Sequence, residues 1–144
     1  MKLPRQLKEG TIASMAVGKS LELGRQLVLA TDPKFAEGQA KKVGSKAETL
    51  QTWANGYIAL DAVISVTGVL AMLQAIRKNR KGAGQAAYVQ GITVMLYGIF
   101  YLFYSLFALG ETKAKLINIV SSIAHFYGGI QIYRFAQKAI KPSN

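Results

Sequence analysis

The chain has 144 residues and no cysteine. That excludes disulfides, thiolate nucleophiles, iron–sulfur ligation and cysteine zinc sites, and it leaves the redox compartment undetermined. Acidic residues are few, seven against eighteen Lys and Arg, and the formal net charge is +11. With a single histidine, His125, no recognisable metal-ligating set is present, and none is expected. The most informative shortage is of charge itself. Residues 53–76 contain one charged side chain, Asp61, and residues 82–110 and 116–133 contain none.

These three apolar stretches follow one another with short charged joints. A helix rises about 1.5 Å per residue, so roughly 20 apolar residues cross a hydrocarbon core about 30 Å thick. The stretches reach or nearly reach that length, which predicts an all-α integral membrane protein. Three transmembrane helices are expected, plus amphipathic or interfacial N-terminal helices. Residues 1–52 read as a basic amphipathic helical segment, and residues 53–144 as a three-helix bundle with a short basic tail. No room remains for a separate catalytic domain, so enzymatic activity is not expected.

The N-terminal part divides into two helices. Over residues 7–30, Ile12, Met15, Ala16, Leu23, Leu27 and Ala30 recur at near-helical spacing. Lys8, Lys19, Glu22 and Arg25 supply a polar side. The pattern predicts a helix lying against the bundle or the headgroups, or docking on a partner. Thr31-Asp32-Pro33 opens a second helix over 33–43, which Gly44 can end in a left-handed conformation. Ser45 with Glu48 forms a capping-box pattern before a long helix over 46–79. Gly82 and Gly84 are expected to reverse the chain into spans over 83–109 and 114–138, and Pro142 marks the frayed end. Residues 1–10 are too polar for a secretory signal core, whereas the basic start over residues 1–30 is compatible with an organellar import signal.

Basic residues gather at the ends of the spans, where they meet anionic lipid headgroups or acidic partner subunits. Nucleic acid is not expected as a partner. Arg77, Lys78, Arg80 and Lys81 should share a side with Arg134, Lys138 and Lys141. The positive-inside rule makes that side cytoplasmic, matrix or stromal, with the N-terminal segment opposite.

Inside the spans a few side chains stand out. Asp61 shares a helical stripe with Ala54, Tyr57, Ser65, Gly68 and Met72. A carboxyl there must face protein, either as an interhelical polar contact or as a proton or ion ligand. His125 has Asn118, Ser121, Ser122 and Gly129 on its side of the third span. An imidazole beside glycine suits an axial ligand of haem or chlorophyll, but a lone histidine is more often a hydrogen-bonded packing residue. Gly84, Gly91 and Gly98 repeat every seven residues and favour a close left-handed helix contact. Tyr97, Phe100, Tyr101, Phe103, Tyr104 and Phe107 form a run expected to pack on lipid tails and a partner subunit, with a pigment or quinone as the alternative.

Two stretches resemble known families. The block from Gly68 to Tyr104, with its basic joint and Gln90-Gly91-Ile92-Thr93-Val94 opening the next span, resembles the two-helix hairpin of the hypoxia-induced family of respiratory-complex factors. Gly84 and Ala86 stand where that family carries basic residues. His125-Phe126-Tyr127-Gly128-Gly129-Ile130 is similar to the haem-ligating helix in the large anchor subunit of succinate dehydrogenase, with Gln131 in place of an arginine. Both resemblances imply a respiratory membrane.

The reading of the whole is an accessory structural subunit of a larger membrane assembly that fills helix and lipid interfaces. The mitochondrial inner membrane is favoured over a thylakoid or bacterial inner membrane, and the expected partners are other membrane subunits and anionic lipids. Two alternatives stand beside it: a haem- or pigment-binding anchor using His125, and a small oligomeric channel or proton-conducting protein using Asp61.

Overall fold

The computed structural model describes the backbone of residues 5–141 and the side chains of residues 10–141. It contains α1 Arg5–Thr31, α2 Pro33–Val43, α3 Ala47–Ile76, α4 Arg80–Phe107 and α5 Thr112–Ile140. Among the described residues there is no strand, so the fold is all-helical. The tail proline, Pro142, lies outside them.

Local chemistry sets most helix ends. The Asp32 carboxylate accepts the backbone N–H groups of Lys34 and Phe35 at 3.0 and 3.2 Å, and Pro33 fits the first turn of α2. Gly44, at φ +66°, closes that helix in the left-handed region that glycine enters without steric cost. The Ser45 and Glu48 capping box does not form. Ser45 N–H is bonded to the Ala40 carbonyl at 2.9 Å to finish α2, and Lys46 precedes α3 with no side-chain cap. Nor do glycines reverse the chain between α3 and α4. Lys78 takes the left-handed conformation at φ +59°, and Asn79 caps α4 by accepting the Gly82 N–H at 2.9 Å. Both helix boundaries therefore fall about three residues earlier than the sequence suggests, and Gly82 and Gly84 lie inside α4. Glu111 caps α5 through Lys113 and Ala114.

Helices α3, α4 and α5 run up, down and up. At one end the N–H groups of Gly110 and Glu111 both donate to the Val43 carbonyl at 3.0 Å, joining the α2–α3 and α4–α5 turns. At the other end an Arg80 guanidinium N–H donates to the Lys138 carbonyl at 3.0 Å, which sets the basic joint beside the basic end of α5. By length and composition two helices, α3 and α4, could cross a membrane. The expected third span, α5, is as long but more polar along its length and does not reach the same apolar standard.

The seam between α4 and α5 is the closest in the molecule. A Cβ added at Gly91 would sit 2.7 Å from the Tyr133 backbone nitrogen, and one at Gly98 2.8 Å from the Ser122 carbonyl oxygen. From the other side, a Cβ at Gly129 would meet the Met95 backbone nitrogen at 2.7 Å and the Gly91 carbonyl oxygen at 2.8 Å. Small residues thus let the two backbones touch, which is how helices gain dispersion contact where lipid offers no hydrophobic driving force. Gly84 packs on Ala139 and Ile140 at the end of the same seam.

Helix α1 is not laid along one end of the bundle. It runs antiparallel to α3 over most of its length: Ile12 clusters with Ile64 and Ala71, and Leu29 with Leu50, Ala54 and Leu109 beneath α2. Its N-terminal end therefore lies toward the basic α3–α4 joint, and only its far end and α2 lie on the opposite side. The amphipathic expectation holds at Ile12 and Ala16, which face inward, and fails at Lys19 and Leu27. Lys19 is 3 % exposed while Val17 and Leu21 are 62 % and 74 % exposed. The stripe Ile12, Ala16, Lys19 faces inward, and Leu27 and Val28 face out.

Candidate functional site

The inward stripe of α1 carries Lys19 and, three residues on, Glu22 into the space between α3, α4 and α5. The Lys19 ammonium lies 3.2 Å from a Glu22 carboxylate oxygen, 2.8 Å from His125 Nε2 and 3.6 Å above the centre of the Tyr97 ring. The Tyr97 hydroxyl donates to the same Glu22 oxygen at 2.7 Å. His125 Nδ1 sits 2.7 Å from the Ser121 carbonyl, which can only accept, so Nδ1 bears the proton and Nε2 accepts from Lys19. The imidazole stacks on Tyr97 at 4.8 Å. Ion pair, cation–π contact and neutral imidazole together surround one buried ammonium.

Asp61 enters the same space from α3. It is 0 % exposed, neither carboxylate oxygen has a hydrogen-bond partner, and it lies within electrostatic reach of Lys19 and Glu22. One turn away on either side, Tyr57 and Ser65 present hydroxyls that are likewise buried and unpartnered. Gln90, from α4, donates its amide to the carbonyls of Ile12 and Ile64 at 3.2 and 3.3 Å, and its own oxygen has no partner. Gly68 makes this reach possible, because a Cβ there would meet the Gln90 amide nitrogen at 2.5 Å and the Ala16 methyl at 2.7 Å. Gln90 thus fastens α1 to α3 through main-chain carbonyls.

Asp61 and His125 therefore converge on Lys19 without bonding each other. Asn118 and Ser122 belong to a separate arrangement: the Asn118 side-chain oxygen accepts from the Tyr101 hydroxyl at 2.9 Å, and Ser122 donates to the Asn118 carbonyl at 2.7 Å. The aromatic run is split. Tyr97, Phe100, Tyr101 and Tyr104 turn inward onto Trp53 and Tyr57, whereas Phe103 and Phe107 stack on each other at the outer surface.

A haem or chlorophyll does not fit at His125. Nε2 faces an ammonium, Nδ1 is committed to a carbonyl, and one ring face is covered by Tyr97. The space beside Gly129 is filled by Met95 and the α4 backbone, and Met15 lies against Gly128. Among the described residues no group of three or more His, Asp or Glu side chains could hold a metal ion.

Sequence reasoning reads Lys19 and Glu22 only as a polar helix face and Tyr97 only as part of an aromatic run, and it gives Gln90 no site role. The available signal was spacing: Lys19 falls on the line of Ile12, Ala16 and Leu23, a lysine within an apolar stripe. Comparison with protein-family models, with curated proteins and with solved structures finds no match for this chain.

Proposed function

We propose that this chain is an integral membrane protein in which α3, α4 and α5 cross the bilayer and α1 accompanies them at the same depth. It acts as an accessory structural subunit of a larger assembly, filling helix and lipid interfaces. The observation that carries the membrane reading is α1. Its Lys19 is buried and Glu22 bonds inward to Lys19 and Tyr97, while Val17, Leu21, Leu27 and Val28 face outward. In water that orientation sacrifices apolar burial and desolvates charge, whereas in hydrocarbon it is the arrangement that satisfies both groups. The other helices support it with exposed apolar residues, among them Val66 and Leu70 on α3, Leu96 and Phe103 on α4, and Val120 and Ile123 on α5.

The role as a subunit draws on the same outer faces, where the stacked Phe103 and Phe107 pair offers an aromatic ridge to a neighbouring helix. Placement in an energy-transducing membrane, the mitochondrial inner membrane first, rests on the two local resemblances. A single-cysteine series in liposomes tests the membrane reading. Cysteines at Val17 and Leu21 should resist a water-soluble maleimide that labels one at Asn79, and labelling of all three at equal rates overturns it. Recovery of the chain alone, after gentle detergent extraction from its native membrane, overturns the role as a subunit. The buried cluster around Asp61 favours a second reading, a proton-handling membrane protein, which predicts a liposome proton flux that Asp61→Asn abolishes.

A further inference from the structure

We infer that Asp61 holds an exchangeable proton in the middle of the bundle, with Lys19 as the cation that replaces it when the proton leaves. The argument is a charge count. Lys19 contributes one positive charge, and Glu22, at 3.2 Å, already balances it. His125 is neutral, since its one N–H is donated to Ser121 and its other nitrogen accepts from Lys19. Tyr97 from α4 is neutral because its hydroxyl donates to Glu22, and Tyr57 on α3 is an unpartnered hydroxyl. Among the described residues these are the charged and titratable groups that neighbour Asp61 and Lys19 from α1, α3, α4 and α5. An ionised Asp61 therefore leaves the Lys19, Glu22 and Asp61 cluster one negative charge in excess, on a carboxylate with no hydrogen bond to either oxygen. A buried carboxylate in that condition neutralises itself.

Further buried oxygens without partners stand on either side of Asp61. Tyr57, Asp61 and Ser65 lie one turn apart on α3, about 5–6 Å per step, and the Gln90 side chain reaches α3 beside Gly68. All four present buried oxygens without partners, the kind of polar lining that ordered water bridges. Deprotonation breaks one O–H bond and passes the proton to a water. The Lys19 ammonium, on its flexible four-carbon stem, then pairs with the carboxylate buried in the same cluster. The inference deepens the proton-handling reading, but an occupied proton site is observable whether or not protons cross the membrane.

The test is infrared spectroscopy of the full chain in detergent or liposomes, with aspartate labelled by carbon-13. The chain has only two aspartates, Asp32 and Asp61, and Asp32 is a helix cap outside the bundle interior. At neutral pH a free-acid carbonyl band should shift with the label, persist in Asp32→Asn and vanish in Asp61→Asn. Glu22→Gln removes the competing negative charge, so Lys19 alone should balance an ionised Asp61 and the band should lose most of its intensity. Lys19→Met combined with Glu22→Gln should restore it. Absence of a label-sensitive band in the unsubstituted protein at neutral pH overturns the proton site, and that measurement needs no variant to fold. A band unchanged in folded Glu22→Gln protein overturns the shared counter-ion. A null flux result with the band intact rejects conduction alone.

Discussion

The seam between α4 and α5 and the seam between α1 and the rest of the bundle are built from opposite materials. The first is glycine and main chain: Gly91, Gly98 and Gly129 bring two backbones to contact distance, and nothing charged intervenes. The second adds polar bonds to the apolar contacts that Ile12 and Leu29 make with α3. None of the glycines at 10, 18 and 24 has a neighbour within 4 Å of an added Cβ, and α1 is held by the Gln90 amide, the Tyr97 hydroxyl and the Lys19 ammonium. Packing of the first kind tolerates no added volume, while the second depends on a few groups that must all be present. The two seams should therefore fail differently.

The largest effect is expected where backbones touch. Gly91→Leu must part α4 from α5, because its Cβ alone would lie 2.7 Å from the Tyr133 nitrogen. A loss of about 3 kcal/mol or more is expected from such overpacking. Unfolding in mixed micelles followed by circular dichroism measures it, and an unchanged midpoint would show that the seam can open without cost.

An intermediate effect is expected from Gln90→Leu, which deletes the two hydrogen bonds to Ile12 and Ile64. The loss should be about 1–3 kcal/mol, and it should be local. Hydrogen exchange ought to accelerate in the first half of α1 while α4 and α5 keep their protection. Uniform acceleration across all helices would mean that the two seams are one cooperative unit.

A smaller loss is expected from Lys19→Met, because the Glu22 side chain left behind is 43 % exposed and keeps the Tyr97 hydroxyl as a donor. The double variant with Glu22→Gln should recover part of it, and a thermodynamic cycle over the four proteins measures the coupling. At the bottom of the scale, Gly18→Leu and Ser45→Ala should each change stability by no more than about 0.5 kcal/mol. Gly18 has open space around it, and the Ser45 side chain forms no cap. A large effect at either site would place a contact where the structure has none.

The difference between the seams also marks the limit of sequence reading. A seven-residue glycine repeat is a local pattern, and a helix face of small residues has one plain use, so Gly84, Gly91 and Gly98 could be singled out without knowing that α5 is their partner. Asp61 could be singled out for the same reason, since a carboxyl in an apolar span has to face protein. The polar seam resisted because its meaning depends on orientation. Lys19 and Glu22 read as the wet side of an amphipathic helix, and only the placement of α1 along α3 turns that side inward. The aromatic run was ambiguous in the same way, since spacing alone cannot divide Tyr97, Tyr101 and Tyr104 from Phe103 and Phe107.

The sequence by itself determined the helices, because charge-free stretches, Asp32, Gly44 and Glu111 act through neighbours within a few residues along the chain. It also determined that a carboxyl and an imidazole would lie within otherwise apolar helices. Tertiary structure alone decided that His125 would bond a lysine from a fourth helix with Asp61 buried in the same cluster, that His125 would have no nitrogen left for a cofactor, and that Lys19 would be turned inward while Val17 and Leu21 face out. Those outcomes come from contacts such as Lys19 with His125 and Gln90 with Ile12, whose partners stand 106 and 78 residues apart. Local propensity carries no information over such separations, and geometry supplies it.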